Sequence, residues 1–461
     1  MNRYFLDPFG CVKNQVDAEL MMAHLNKAGW ECAPAADADL IIVNSCGFIE
    51  SAKRESINAV IGWRKLYPGK KILLAGCLSQ RYAKELAESL VEADGFMGVE
   101  DPAHVVQAVS NIAGRSKQGS AVNKKRSTGS AGNAAGILHS GERPLLSLPG
   151  SAYVKISEGC SNCCSFCAIP LIRGSLASRA IPGIMEECKV LLNRGIRELC
   201  IIGQDIGSFG VDKQKTISGS AASKLPDLLE AISSLKGRFW VRLLYIHPDH
   251  FPLQILDVME KDSRILPYFD IPFQHAAPKI LAGMNRNGSA EKYLELLAAI
   301  RSRLPSSVIR STFLPGFPGE TEDDFSALLD FQKKAALDWL GCFAYSREEG
   351  TAAYSMKGRV PKKKAAERKR IIEEQQVPIT EKNMERFTGQ DLEVLIEEQI
   401  AAGEEGGESF WLGRLYCQAP DIDGAAVIAG CGTSGKNPQA GEFAKCKVIA
   451  RRGFDLEVAL Y

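Results

Sequence analysis

The sequence predicts an α/β chain in three parts: an N-terminal parallel α/β sheet domain, a partial (βα)6 TIM-type barrel, and a small OB-like β-barrel at the C-terminal end. Three observations predict it. Short apolar runs alternate with amphipathic stretches up to residue 115, the pattern of a parallel sheet wrapped by helices. The alternation restarts at Ser151 and runs for six units, which suits an open barrel better than the full eight-unit closure. Beyond Gly389 it gives way to alternation and turns, enough for about five strands of a small barrel. A length of 461 residues exceeds one ordinary core and fits several domains.

In the first part, Arg3–Phe9 reads as a strand and Asn14–Lys27 as a helix. Leu40–Asn44 is a buried strand, followed by a helix over Ser51–Leu66 with Ser51 as candidate cap. Lys71–Ala75 and Ser79–Val91 repeat the strand–helix step. Arg115–Ser147, rich in Gly, Ser, Ala and Lys without periodicity, reads as a linker or disordered loop. The six barrel strands are expected at Ala152–Ser157, Glu198–Ile202, Trp240–Ile246, Phe269–Pro272, Val308–Leu314 and Trp339–Ala344. Helices fall between them, such as Ile184–Arg194, Ala290–Arg303 and Glu322–Ala336, and Gly210–Lys224 reads as a polar surface insertion. Lys362–Arg386 is a charged helix leaving the barrel. Asp391–Ile400, Phe410–Ala419, Ala425–Cys431 and Phe443–Leu460 supply the last strands.

Composition narrows the class. Hydrophobic content of 45% and charged content of 24% are globular values. A net charge of +1 offers no whole-chain field for nucleic acid or membrane. The stretch Met1–Pro8 lacks an apolar signal core, and no apolar run approaches a membrane span. A cytoplasmic protein without a membrane partner is therefore expected. Fourteen cysteines there point to metal or thiol chemistry rather than disulfides.

Six of them form two sets. Cys160, Cys164 and Cys167 make a C-x3-C-x2-C run just after the first barrel strand, at the end where such barrels place their chemistry. Thiolates are the usual ligands of iron–sulfur clusters. Three of them on a four-iron cubane leave one iron open for the amino and carboxylate groups of S-adenosyl-L-methionine. Cys163 offers a second register with Cys160 and Cys167, and a C-x2-C zinc knuckle is the plainer alternative, although no further tight ligand pair is found for it. Cys11, Cys46 and Cys77 are far apart, yet each closes one strand of the N-terminal sheet. Parallel strands present those ends along one edge, so the three can converge on a second cluster, with Gly10 and Gly76 permitting close backbone approach. Three buried structural thiols are the alternative. The others (Cys32, Cys188, Cys200, Cys342, Cys417, Cys431 and Cys446) read as structural.

These motifs resemble the methylthiotransferases of the radical-SAM superfamily over nearly the whole chain. The order of a cysteine-bearing α/β domain, a radical-SAM barrel and a TRAM barrel is similar. The strings Phe9-Gly10-Cys11-Val12-Lys13-Asn14-Gln15-Val16-Asp17-Ala18-Glu19, Asn44-Ser45-Cys46-Gly47-Phe48-Ile49-Glu50-Ser51-Ala52-Lys53 and Gln418-Ala419-Pro420-Asp421-Ile422-Asp423-Gly424 look like the ribosomal-protein branch. That branch modifies an aspartate of the twelfth small-subunit protein; the transfer-RNA branch usually carries Met at the position of Lys13. The resemblance implies an enzyme that puts a methylthio group on the aspartate β-carbon. It implies two [4Fe-4S] clusters with S-adenosyl-L-methionine, an auxiliary cluster on Cys11, Cys46 and Cys77 and the radical-SAM cluster on Cys160, Cys164 and Cys167. Cys163 stands where a basic residue is common. Domain limits of 1–115, 148–385 and 386–461, with a linker over 116–147, and an electron-donor protein as partner belong to the same picture.

Around the cosubstrate, Phe166 is expected against the adenine or in ordinary packing. Gln204 and Asp205 close the second barrel strand as cosubstrate contacts, or as a turn with a capping Asp. Arg242, Tyr245, Gln274 and His275 are expected at the same rim, though a lone histidine is more often structural. Gly316 and Glu320 lie in Pro315–Glu322, whose glycines would let a nucleoside approach the backbone. From Gly389 to Tyr461 six Lys and Arg stand against twelve Asp and Glu, a net charge of −6. Such a barrel is poorly suited to transfer RNA and suits a basic ribosomal protein of the small subunit, free or ribosome-associated; a merely solvated acidic surface is the alternative. The basic run Lys357–Arg370 reads as the exposed face of the connecting helix. Two rivals stay open: a transfer-RNA adenosine methylthiotransferase and a non-catalytic iron–sulfur electron-transfer protein.

Overall fold

The computed structural model describes residues 2–99, 101–113, 141–214, 221–401, 410–428 and 438–461. The chain folds as two units. The first joins Met1–Leu146, Ser157–Val190 and Ser346–Tyr354; the second joins Ser147–Ile156, Leu191–Tyr345 and Ser355–Tyr461.

The first unit is built on a five-stranded parallel sheet. Strands β1 (Arg3–Pro8), β2 (Glu31–Cys32), β3 (Leu40–Ser45), β4 (Lys71–Gly76) and β5 (Gly95–Met97) pair in the order β2-β1-β3-β4-β5. Strands β3 and β4 are covered on both faces, which is why they read as unbroken apolar runs. Alternate residues serve opposite sides. Leu40, Ile42, Leu73 and Ala75 pack with helices Val12–Lys27 and His104–Ala113, while Ile41, Val43, Ile72 and Leu74 pack with helices Glu50–Leu66 and Ala83–Ser89.

Three local expectations change. The helix assigned to Ser51 starts at Glu50, with Ile49 at the cap position and no side-chain cap. In place of one helix over Ser79–Val91 there are two, Cys77–Arg81 and Ala83–Ser89, parted at Tyr82. Most of the expected linker lies outside the described residues, but Arg143 near its end is fully buried between Glu19 at 2.7 Å and Glu187 at 2.6 Å. A buried cation is tolerated only with such partners, so this end is anchored rather than loose.

Strand β6 (Ser151–Lys155) opens the sheet of the second unit. The short strands β7 (Ser157–Glu158) and β8 (Ala177–Ser178) pair antiparallel in the first unit and bracket the cysteine loop in sequence. The second sheet continues through β9 (Glu198–Ile202), β10 (Trp240–Leu243), β11 (Ile265–Asp270), β12 (Val308–Phe313) and β13 (Trp339–Cys342). These form one open, six-stranded parallel sheet in sequential order, the partial barrel anticipated. Strand β11 begins at Ile265 rather than Phe269. Pro267 sits inside it and has no N–H to donate, and the β10 ladder slips there between Val241 and Leu243. Strand β10 stops at Leu243 because Tyr245 turns into the left-handed region, φ +70°.

Helix Lys362–Glu385 leads to β14 (Asp391–Ile400), β15 (Phe410–Arg414), β16 (Ala426–Ile428), β17 (Phe443–Arg452) and β18 (Asp455–Leu460). These close in the order β14-β15-β16-β18-β17, the five-stranded barrel expected. Parts of Gly210–Lys224 and of Ala425–Cys431, Cys431 included, lie outside the described residues.

Candidate active site

Cys11 caps helix Val12–Lys27 just past β1, Cys46 follows β3, and Cys77 follows β4 and begins its own helix. Because β1, β3 and β4 are neighbours, the sheet order carries the three thiols to one edge. Glycines bring the backbones together. Gly10 takes φ +94°, and a Cβ on it would stand 2.9 Å from the Cys46 Cβ and 3.3 Å from its sulfur. A Cβ on Gly47 would lie 2.6 Å from the Cys77 carbonyl oxygen. Asn14 locks the edge: its amide donates to the Phe9 carbonyl at 2.6 Å and the Ser45 carbonyl at 3.2 Å, while Asn44 donates back to its own carbonyl at 2.7 Å.

Burial pushes the Cys77 thiol up to about 12, with the Cys11 and Cys46 charges adding to it and the Arg173 guanidinium opposing. Burial raises Cys46 too, and Cys11 adds to that. Cys11 and Cys46 thus stand close enough to oppose the ionisation of Cys77, and positive iron is what would favour the thiolate form of such ligands. Among the described residues no three His, Cys, Asp or Glu side chains form a group that could hold a single metal ion. A cubane asks for less: each thiolate binds a different iron, so the ligands stand apart. An all-sulfur set in a glycine-lined edge fits such a cluster better than a hard cation.

The second set is local. Within the loop the Cys167 N–H donates to the Cys164 carbonyl at 3.0 Å, and the Cys160 N–H to the Gly174 carbonyl at 3.1 Å. Cys160, Cys164 and Cys167 are half-buried, whereas Cys163 is exposed with φ +51°. The three like environments belong to the 160/164/167 register. Phe166, between them, is half-buried. Helix Ile169–Arg173 follows, and it ends in a residue that sequence reasoning missed. Arg173 reaches Glu158 and Asp17 at 2.8 Å each and the Cys77 sulfur at 3.3 Å. A lone arginine after the motif carries no sequence signal; only the fold reveals its partners.

In the second unit the predicted residues separate. Gln204 follows β9 with its amide Nε2 buried and without a hydrogen-bond partner among the described residues, a donor waiting for an acceptor. Asp205 is occupied: it accepts from Gly207 N at 3.0 Å, Ser208 Oγ at 2.6 Å, His247 N at 3.0 Å and His250 Nδ1 at 3.1 Å. It acts as the turn cap that was the plainer alternative. Tyr245 and Gln274 both take left-handed backbone past the C-terminal strand ends, φ +70° and +68°, a strain that clusters at functional sites. Gly316 and Glu320 are braced inward. The Gly316 N–H donates to the Glu320 carboxylate, which also meets Arg368 at 3.2 Å and His275 at 3.7 Å, and a Cβ on Gly316 would come 2.5 Å from that of Ala365. His275 is wholly buried, its Nδ1 accepting the Ala277 N–H at 3.0 Å.

Arg242 is not at the rim. Its guanidinium pairs with Glu198 at 2.7 Å, donates to the Tyr416 carbonyl at 2.9 Å and lies 4.6 Å from the centre of the Tyr268 ring. Glu198 starts β9, so Arg242 leans toward the opposite, N-terminal end of the sheet. Arg414 joins from the small barrel at 2.5 Å. Burial opposes the charge on Glu198, but Arg414 and Arg242 outweigh it and hold the carboxyl down at about 2. Nearby, Tyr268 donates to Asp423 at 2.6 Å and the Trp339 indole to the Cys417 carbonyl at 2.8 Å. The segment Cys417–Asp423 therefore plugs that end.

Three family models match in succession: the uncharacterized protein family UPF0004 over residues 3–98, the Radical SAM superfamily over 154–331, and the TRAM domain over 388–460. The ribosomal protein uS12 methylthiotransferase RimO of Treponema denticola is 46% identical over 470 residues, covering 98% of this chain and 99% of that protein. That likeness runs end to end. The chain belongs to the ribosomal protein uS12 methylthiotransferase family. Other members of the family are similar too: the proteins of that name from Pelotomaculum thermopropionicum (41%; 97% and 96% covered) and Thermotoga maritima (38%; 92% and 94%). Family membership makes the chain a radical-SAM enzyme. Among solved structures, the radical S-adenosylmethionine methyltransferase TsrM from Kitasatospora setae, with cobalamin and a [4Fe-4S] cluster bound, overlaps 77% of each chain with a TM-score of 0.54. At 15% identity that likeness concerns the fold alone.

Proposed function

We propose that this chain transfers a methylthio group to the β-carbon of an aspartate in ribosomal protein uS12. The observation that carries the reading is the 46% identity sustained over 98% of the chain. Cys160, Cys164 and Cys167 would hold a [4Fe-4S] cluster with one open iron, and Cys11, Cys46 and Cys77 an auxiliary [4Fe-4S] cluster. When bound, these clusters and S-adenosylmethionine supply the one-electron chemistry that an unactivated C–H bond demands, the sulfur, and a methyl group from a second S-adenosylmethionine.

The chain's own residues do the rest. Gln204 offers its spare amide donor to the cosubstrate, and Asp205 orders the turn that presents it. Glu320, through Gly316 and Arg368, fixes the 315–322 loop as a wall for the nucleoside. Phe166 lies beside the cysteines, suited to an adenine face. Exclusion of water and alignment of the target carbon are the protein's contribution to rate. The domain limits 1–115, 148–385 and 386–461, with the linker over 116–147, accompany this reading. So do a cytoplasmic setting, an electron-donor protein and a uS12 substrate met free or on the ribosome. No helix of the described residues is long and apolar enough to cross a membrane.

The test is mass spectrometry of ribosomal proteins from cells with and without the gene, with transfer-RNA nucleosides digested from the same cells. A methylthio increment on uS12 that vanishes with the gene is expected. An increment on a transfer-RNA adenosine, with uS12 unchanged, would overturn the substrate.

A further inference from the structure

We infer that Arg173 is a positioning residue for the auxiliary cluster: its guanidinium holds the Cys77 sulfur and ties the cysteine loop to the sheet edge that carries Cys11, Cys46 and Cys77. The inference rests on the reading that those three cysteines hold a cluster. Arg173 ends the short helix after Cys167, and its side chain is almost wholly buried. Nη1 donates to Glu158 at 2.8 Å, on the strand just before Cys160. Nη2 donates to Asp17 at 2.8 Å and faces Asn14 Oδ1 and Cys77 Sγ at 3.3 Å each. Asn14 and Asp17 stand on the helix that Cys11 caps. One planar fork therefore touches chain flanking both cysteine sets.

Two carboxylates orient the fork, and a guanidinium so fixed points its remaining donors in set directions. One of those reaches the sulfur. Another, Nε–H, is buried with no hydrogen-bond partner among the described residues. An unpaired buried donor is costly unless another group completes it. A donor held in reserve beside a sulfur ligand suits a site completed by an anionic group, and a thiolate-bound cluster with its sulfides is such a group. Hydrogen bonds to a cluster's sulfurs and the charge around it set its reduction potential. The cation favours the reduced, more negative state, so Arg173 raises the potential.

The experiment uses the full-length Cys160→Ala/Cys164→Ala/Cys167→Ala variant, in which only the auxiliary cluster can load. After anaerobic reconstitution, iron is counted and the midpoint potential is read by electron paramagnetic resonance during redox titration. About four irons are expected. Adding Arg173→Gln, or Asp17→Asn with Arg173→Gln so that no buried carboxylate is newly stranded, should keep the iron, move the potential to more negative values and alter the reduced spectrum. Arg173→Lys should fall between. A potential and spectrum unchanged in the iron-loaded variants would overturn the inference alone. Iron loss that neither Arg173→Lys nor the Asp17→Asn pairing restores would mark a folding brace and overturn it as well. Absence of iron from the background variant itself would overturn the cluster reading underneath.

Discussion

The two cysteine sets assemble sulfur-lined sites by opposite routes. Cys160, Cys164 and Cys167 share one loop, and its shape comes from short-range hydrogen bonds such as Cys167 N–H to the Cys164 carbonyl. Cys11, Cys46 and Cys77 are strangers in sequence, brought together by the order β1-β3-β4 and by glycines that let backbones nearly touch. A local set depends on its spacing. A dispersed set depends on the core beneath it, and the packing of Ile41, Val43, Ile72 and Leu74 is as much part of the site as the thiols.

Removing one ligand from each set should separate their duties most sharply. Cys164→Ala is expected to reduce 5′-deoxyadenosine formation under reductant to background. Cys46→Ala should retain part of that formation while abolishing the methylthio product. Chromatography of the nucleoside and mass spectrometry of uS12 read the two, and full nucleoside formation in Cys164→Ala would break the comparison.

A smaller effect tests whether stability alone moves either set. Glu198 belongs to neither set, and its carboxyl is held at about 2 against an ordinary 4.5. A depressed carboxyl contributes stability above its unfolded value and loses it as pH falls from about 4.5 toward 2. The shift corresponds to on the order of 3 kcal/mol. Glu198→Gln should lower the melting temperature at pH 7 and flatten the acid dependence between pH 5 and 3, with iron content unchanged at a temperature where the variant is folded. Calorimetry across that range checks it; an acid profile identical to wild type would refute the assignment.

Gly10→Ala should act on the dispersed set only. The left-handed backbone and the 2.9 Å approach to Cys46 make the added methyl cost about 1–3 kcal/mol locally. Less iron is expected in the background lacking the loop cysteines, and full iron in one lacking Cys11, Cys46 and Cys77. Smallest of all, Cys163→Ser should leave iron content and nucleoside formation at wild-type levels. A loss there would return Cys163 to the ligand register.

The strands were legible because burial on both faces leaves continuous apolar runs, and because three strand-end cysteines repeat one position. Long-range side-chain geometry was not. Arg242 lies in a predicted strand, but nothing in its neighbours tells that it leans to Glu198 instead of the rim. Arg173 has partners 15, 96 and 156 residues away in sequence. The acidic surplus of the last barrel is partly used within the chain. Glu397 is spent on Arg414, Asp423 on Tyr268 and Arg310, and Glu442 on Arg197, so that less of the charge is free for a basic partner than composition suggests. Burial even pushes the Asp423 carboxyl up to about 6. The short start of helix Glu50–Leu66 escaped for another reason: its cap position is Ile49, which offers no side-chain acceptor to recognise.

The most direct test of the account is the iron and sulfide content of the anaerobically reconstituted full-length protein, measured beside its two triple-cysteine variants. Two independent cubanes predict about eight irons in the intact chain and about four in each variant. About four irons in the intact chain, with none left when the loop cysteines are removed, would contradict it.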